Sequence, residues 1–366
     1  MKKQRVVVAM SGGVDSSSAA SILCEQGYEV IGITMVLWDY DTSGGNIDNE
    51  KSCCSLQGII NARNVCNQLK IPHYTINLKK EFEENIIKYF INEYLGGKTP
   101  NPCIRCNTLI KWKYLLSRAE KLGARFIATG HYARITFNNA TGRYELRKGA
   151  DKNKEQSYAL WGLTQNALGK TLFPLGEWTK TRVRKYAEMK KLKTEKTSES
   201  QDICFIRDNN YKRFLLERMP ELENKLKGGK IIGKNGSVIG THDGYPFYTI
   251  GQRKGIGVSI GKPAYIYKID PIKNEIYIGT KKDISGKSMI VNQCNFISLN
   301  KIEKPIKAIT KIRYKDPGKL SLISPLPDNR LLVEFIEPAN SITPGQSAVF
   351  YQNDIVIGGG IIQNPL

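Results

Sequence analysis

The 366-residue chain is 40% hydrophobic and 24% charged, long enough for two or three domains that each bury a core. Its 55 lysines and arginines face 34 acidic residues; the resulting charge of +21 points to a polyanionic partner, most simply nucleic acid, with lysine-rich, AT-biased coding as the competing explanation. No run approaches the ~20 apolar residues of a membrane span, and the apolar stretch behind Met1-Lys2-Lys3-Gln4-Arg5 is too short for a signal peptide, so a soluble, cytoplasmic protein, by default a monomer, is expected.

Taken in order, the chain opens on the apolar run Val6-Val7-Val8-Ala9-Met10, the turn Ser11-Gly12-Gly13-Val14-Asp15-Ser16 and a helical stretch from Ser17 to Leu23. Paired glycines let the backbone approach a ligand closely, and the amides of the turn and helix N-terminus, with the serine hydroxyls, suit an anion such as phosphate. A Walker P-loop would close with Gly-Lys-Ser/Thr, and no lysine stands here. Val30–Met35 reads as a second strand, Ser55–Leu69 as a helix, Ile71–Asn77 as a third strand and Phe82–Tyr94 as a helix. Lys111–Leu122 is a further helix and Arg125–His131 a fourth strand. This βαβα order predicts a doubly wound parallel sheet, an α/β fold whose ligands sit at the carboxyl ends of the strands, where Gly12, Met35 and Gly130 all fall.

From Leu172 to Lys196 the pattern is helical and basic. Lys180, Arg182, Arg184, Lys185, Lys190, Lys191, Lys193 and Lys196 read equally well as a solvated face or as a phosphate-tracking one. A small unit follows, with a helix over Tyr211–Met219 and the glycine-rich stretch Lys227–Val258. Beyond Ile276 the runs Ala308–Tyr314, Leu331–Ile336 and Gln346–Tyr351 alternate between turns and predict a small closed barrel or sandwich. The expected domains are 1–210, 211–280 and 281–366.

Eight cysteines in a cytoplasmic chain point to reactive or metal-binding thiols rather than a disulfide scaffold. Cys103-Ile104-Arg105-Cys106 follows the proline-stiffened Thr99-Pro100-Asn101-Pro102, and a thiol near a helix N-terminus and an arginine has a depressed pKa. Cys204 stands alone in Ser200-Gln201-Asp202-Ile203-Cys204-Phe205. Taken by itself the Cys-x-x-Cys pair reads as a zinc knuckle, a redox pair or an iron–sulfur ligand set, and Cys53-Cys54 is a poor second half for a zinc site. Cys24, Cys66 and Cys294 read as core thiols.

Ser11–Ser16 resembles the PP-loop of the ATP pyrophosphatases, which cleave ATP between the α- and β-phosphates. Further strings extend the likeness: Gly97-Lys98-Thr99-Pro100-Asn101-Pro102 with Cys106-Asn107, Ala128-Thr129-Gly130-His131-Tyr132, Asp151 to Tyr158, Asp202-Ile203-Cys204-Phe205-Ile206, and Tyr248 to Gly255. Together they resemble the tRNA-specific 2-thiouridylase (MnmA/TrmU) family along almost the whole chain. The resemblance implies a HUP-like PP-loop domain, a small central tRNA-binding domain and a C-terminal β-barrel.

It further implies that ATP, with Mg2+, adenylates the 2-oxygen of a wobble uridine extruded into the crevice. Sulfur would arrive as a persulfide on Cys204, with Cys106 as the nucleophile or resolving thiol that can form a disulfide with it. ATP contacts map onto Ala9, Met10, Ser11, Gly12, Gly13, Val14, Asp15, Ser16, Met35 and Gly130. His131 maps beside the target base, and tRNA contacts map onto Asn101, Pro102, Cys103, Lys154, Glu155, Gln156, Arg313, Tyr314 and Gln346. The implied partners are tRNAs of the Lys, Glu and Gln type and a sulfur donor, either a cysteine desulfurase or a relay protein. On residues alone, Tyr248–Gly255 also suits a phosphate-gripping loop.

Two positions depart from the family pattern: Cys103 and Glu155 each replace the commoner aspartate. Cys103, Cys106 and Cys204 could together hold three irons of a [4Fe-4S] cluster, which leaves persulfide relay and cluster chemistry both open. A PP-loop ligase or amidotransferase would leave Cys106 and Cys204 idle. A non-catalytic RNA-binding protein is at odds with the intact Ser11–Ser16 loop.

Overall fold

Val6, Val7 and Val8 are fully buried at the centre of a parallel sheet, as a near-continuous apolar run should be when helices cover both faces. The computed structural model describes residues 3–38, 56–195, 203–206, 208 and 210–365; Cys53, Cys54, Lys196 and Asp202 lie outside the described residues. Strands β1 (Arg5–Ala9), β2 (Glu29–Val36), β3 (His73–Asn77) and β4 (Phe126–Ala128) are parallel in the order β3-β2-β1-β4. Between β1 and β4 the winding reverses, and loops leaving their carboxyl ends part to opposite faces. Helices α1 (Val14–Glu25) and α2 (Leu56–Gln68) pack against this sheet.

After β4 the chain departs from the expected alternation. Strands β5 (Ala133–Asn138) and β6 (Arg143–Lys148) form an antiparallel hairpin outside the parallel sheet. Their period-2 pattern runs through Ile135, Phe137, Tyr144 and Leu146, and Gly142, at φ +67°, completes the turn. The chain then returns, and β7 (Thr171–Leu172) pairs parallel with β4 to complete five strands.

Two helices differ from the sequence reading. The expected helix from Lys111 is the end of a longer helical run, 102–121, that starts at Pro102 and carries a π-helical turn over Asn107–Trp112. Pro102 suits the first helical position and Asn101 caps it, its side chain accepting from the Ile104 amide. The long basic helix expected over Leu172–Lys196 is limited to Lys180–Met189, capped by Thr179.

Residues 211–279 form the central unit: helices Tyr211–Arg218 and Glu221–Leu226, then β8 (Gly229–Ile232), β9 (Val238–His242), β10 (Tyr265–Asp270) and β11 (Glu275–Gly279) in the order β10-β11-β8-β9. The last six strands are β12 (Ser285–Phe296), β13 (Ile306–Lys311), β14 (Lys319–Leu326), β15 (Arg330–Asn340), β16 (Ser347–Gln352) and β17 (Ile355–Pro365). They run antiparallel in the order β12-β15-β14-β13-β16-β17, and pairing of β12 with β17 closes them into a barrel. Met289, Val291, Ile323, Val333, Ala348 and Phe350 fill it. The hairpin from the first domain joins this sheet, β6 pairing with β17 at Arg147 and Ile355. Arg134 and Arg147 both reach Asp354, at 2.8 and 3.2 Å. Among the described residues no helix is long and apolar enough to cross a membrane.

Candidate active site

The turn after β1 is held by its own serines. Ser16 Oγ donates to the Gly13 carbonyl at 3.1 Å and accepts from the Ser11 amide at 3.2 Å, and Ser17 Oγ donates to the same carbonyl at 2.9 Å. Gly12 has φ +75°, and any Cβ there would collide with the carbonyl of Gly58 in α2. Gly13 caps α1 with no side-chain bond, so no side chain of the cap residue covers the first amides of the helix. Gly130, at the end of β4, lies so close to the loop that a Cβ would stand 2.7 Å from the Asp15 carbonyl carbon and 2.8 Å from the Ser16 nitrogen. Both glycines are therefore required by close approach, and together they bring the ends of β1 and β4 into one crevice.

Asp15, expected among the ATP contacts, has a carboxylate that is already engaged. Lys180 Nζ donates to both its oxygens at 2.7 Å, and Tyr132 Oη donates to Oδ1 at 2.7 Å. Lys180 is 8% exposed, and its backbone amide donates to Asp151 at 2.8 Å. It therefore belongs neither to a solvated face nor to a phosphate-tracking surface, which corrects the reading of the basic stretch at this position. Lys180 and Gly58 are site residues that sequence reasoning missed, and Tyr132, which closes the string Ala128–Tyr132, was given no role there. Local pattern carries no signal for Lys180, which lies 165 residues from Asp15.

His131 follows Gly130, its Nδ1 2.6 Å from Thr129 Oγ1 and its ring against Trp112 and Phe173. Burial, with a smaller contribution from the Lys111 charge, pushes its pKa down to about 3, so the imidazole is neutral at physiological pH. It can accept or donate a hydrogen bond beside the crevice but carries no charge there.

Cys106 is buried, Cys204 half-buried and Cys103 exposed. Cys106 belongs to one apolar cluster with Met35, Phe82, Ile110, Phe205 and Ile206, and the partly buried Cys204 and Ala9 pack against it. Phe205 meets Phe82 and Phe90 edge-on, at 5.7 and 5.3 Å between centroids, which anchors the Cys204 segment to the helical run 79–95. The Arg105 guanidinium lies over the Tyr89 ring at 4.2 Å and donates to the Asn85 carbonyl. Among the described residues no three His, Cys, Asp or Glu side chains gather to hold a metal ion, so Cys103, Cys106 and Cys204 are not arranged as a ready cluster site. Of the remaining cysteines, Cys66 is fully buried, with burial pushing its thiol up to about 12, and Cys24 and Cys294 are half-buried.

The segment before Cys103 is gripped from two sides. Tyr245 of the central unit donates to the Leu95 carbonyl at 2.7 Å, and Gly97 lies against Pro271. From the barrel, the Thr99 amide donates to Pro344 O at 2.9 Å, while Gln346 Nε2 donates to Thr99 O at 2.8 Å. Gln346 thus ties the barrel to the loop that launches the cysteine-bearing helix, in addition to the tRNA contact expected of it.

The other expected tRNA residues meet where β5–β6 joins the barrel. Gln156 Oε1 accepts from the Tyr132 amide, and Glu155 accepts from the Ser157 amide. Ser157 Oγ and Tyr351 Oη stand 3.1 Å apart, and Tyr158 meets Tyr314 edge-on at 6.3 Å. Arg313 and Tyr314 are exposed, and Lys154, Glu155 and Gln156 are half-buried. Tyr248–Gly255 forms a tight turn against the barrel: Gly251 leaves no room for a Cβ against Ser341, and Arg253 and Lys254 are exposed.

Comparison with known proteins agrees with this architecture. Residues 4–208 match the family model described as the tRNA methyl transferase HUP domain. Residues 212–280 match its PRC-barrel domain, and residues 286–362 the aminomethyltransferase beta-barrel domain. A tRNA-specific 2-thiouridylase MnmA of Heliobacterium modesticaldum is 48% identical over 98% of this chain and 92% of its own. The protein so named from Amoebophilus asiaticus is 48% identical over 99% and 96%, and that of Caldanaerobacter subterraneus 49% over 98% of each. Solved structures are more distant: NMN synthetase from Francisella tularensis matches at 15% identity and TM-score 0.34 over 56% of this chain and 68% of its own.

Proposed function

The chain belongs to the family of tRNA-specific 2-thiouridylases, and from that premise we propose that it replaces the 2-oxygen of a tRNA wobble uridine by sulfur through a cysteine persulfide. It is a tRNA sulfurtransferase, and ATP is its co-substrate. The uridine 2-oxygen attacks the α-phosphate and pyrophosphate leaves, which turns a poor leaving group into AMP. The Ser11–Ser16 loop and the α1 N-terminus would receive the phosphates. Asp15 is ion-paired to Lys180, so phosphate oxygens and water would supply most ligands of an accompanying Mg2+.

Sulfur transfer follows from the thiols. The terminal sulfur of a Cys204 persulfide attacks C2 and AMP leaves with the oxygen. The Cys106 thiolate then attacks the Cys204 sulfur, releasing thiouridine and closing a Cys106–Cys204 disulfide, which an external thiol must reduce before the next turnover. The observation that carries this reading is the apolar cluster that holds Cys106 and Met35, against which Cys204 and Ala9, at the loop's entrance, both pack. A dry setting protects a persulfide and an adenylate from hydrolysis. The donor would be a cysteine desulfurase or a relay protein, and the substrates tRNAs of the Lys, Glu and Gln type. The cytoplasmic monomer would work as three domains, 1–210, 211–280 and 281–366.

The test is reconstitution with ATP, cysteine, a desulfurase and unmodified tRNA, followed by mass spectrometry of the nucleosides. Cys106→Ser and Cys204→Ser should each abolish 2-thiouridine, while Cys103→Ser retains it. Loss in Cys103→Ser together with bound iron and sulfide would replace the persulfide by the [4Fe-4S] alternative.

A further inference from the structure

Two lysines from different domains converge on one buried ring. Lys148 ends β6 of the hairpin, Lys311 ends β13 of the barrel, and Tyr351 stands on β16. The Lys148 Nζ lies 4.6 Å and the Lys311 Nζ 5.5 Å from the centroid of the Tyr351 ring, which is fully buried. We propose that Lys148 and Lys311 form a phosphate-binding subsite for the tRNA backbone, an inference that rests on the reading of the chain as a tRNA-modifying enzyme.

Two half-buried ammonium groups over one ring repel each other unless an anion joins them. Burial and the Lys311 charge both lower the pKa of Lys148, opposed by Glu155 and Asp354. Asp354 is already shared between two arginines, Arg134 and Arg147, which leaves Glu155 as the single carboxylate facing two ammonium groups. Glu155 also accepts from the Ser157 amide. Lys148 does donate to the Asn353 carbonyl at 3.1 Å, which fixes the ammonium in place without cancelling its charge. The site is thus preformed and cationic, and a phosphate with two unesterified oxygens matches two adjacent ammonium groups.

Continuity favours RNA over an acidic protein surface. Ser157, hydrogen-bonded to the same Tyr351, directly follows Lys154–Gln156, and Lys311 precedes Arg313-Tyr314 by two residues. The lysines bridge two segments that the tRNA reading already uses, closing them into one surface across the domain joint.

The experiment compares Lys148→Met, Lys311→Met, the double variant and the double Lys→Arg variant with the wild type. Methionine keeps the aliphatic stem against Tyr351 while removing the charge. Binding of an unmodified tRNA transcript is titrated at several KCl concentrations, alongside thiolation rates at saturating tRNA. The double Met variant should bind on the order of tenfold more weakly at low salt, and its slope of log K against log salt should fall in magnitude by about 1. The Arg pair should retain both, and kcat should not change.

A double-Met slope equal to that of the wild type overturns the proposal. So does unaltered tRNA binding with a raised requirement for the desulfurase, which would make the patch a protein-docking site. If the double variant melts, the slopes of the two single variants decide. A wild type that neither binds nor thiolates tRNA refutes the functional reading itself, which keeps the two failures distinct.

Discussion

Lys180 and Asp15 form the most consequential pair of single residues. Removing the lysine would leave a carboxylate facing Tyr132 at the floor of the loop, stripped of its counter-charge. Lys180→Met should cost about 2 kcal/mol in stability and abolish turnover of ATP, and Asp15→Asn in the same chain should recover part of the stability loss. Urea unfolding of the single and double variants checks this; strictly additive losses would mean that the pair is not coupled. Gly12→Ala forces a Cβ into the Gly58 carbonyl at positive φ, so a loss of about 3 kcal/mol and of ATP binding is expected by the same assay.

All three histidines, His73, His131 and His242, are held below the ordinary value, chiefly by burial. The unfolded chain takes up protons near pH 6.5 while the folded chain does not. Stability is therefore complete above pH 6.5 and declines as pH falls toward the lowered values. His131→Gln should shrink the difference between pH 7 and pH 5 by on the order of 1 kcal/mol, measured by denaturant titration at both. An unchanged difference would mean that His131 is protonated in the folded protein.

At the scale of elements, what could be read from sequence was what is local. The strand–glycine–helix of Ser11–Ser16 follows from a short pattern and stands where expected, whereas the strand expected over Arg125–His131 is shorter, Phe126–Ala128, with Gly130 just beyond it. A helix starting behind Thr99–Pro102 is legible, since Asn101 and Pro102 are suitable cap and first-turn residues, but its unbroken run to Lys121 is not. Equally, the β5–β6 alternation is visible in the sequence, but its partner is not, since Arg147 and Asp354 are 207 residues apart. That joint is open to test. Asp354→Ala removes an acceptor shared by two arginines, and because the group is about a third exposed the expected loss is about 1 kcal/mol.

For the whole molecule, a +21 chain that holds RNA should do so with strong salt dependence, and a flat response of tRNA affinity to KCl would remove that net charge as the basis of the contact. Division into a parallel sheet, a small middle unit and a barrel was legible, because hydrophobic periodicity changes from unit to unit. Which surfaces the units share was not, as interdomain contacts leave no period behind. Gln346 on Thr99 and Gly97 on Pro271 each join two units, and even inside the first unit Lys180 on Asp15 spans 165 residues.

The hairpin that leaves the crevice at Tyr132 to join β17 has a consequence for how the protein is made. A ribosome that has released residues 133–148 has not yet produced the strand that β6 needs. Until then β6 is an unpaired edge, the kind of template on which chains associate wrongly. The loop before Cys103 likewise waits for Gln346. The segment that leads into the Cys103 helix therefore gains its last contacts only when the barrel strands have been made. A chain ended after residue 210 should accordingly aggregate rather than persist as an active fragment, which light scattering during expression of that fragment would reveal.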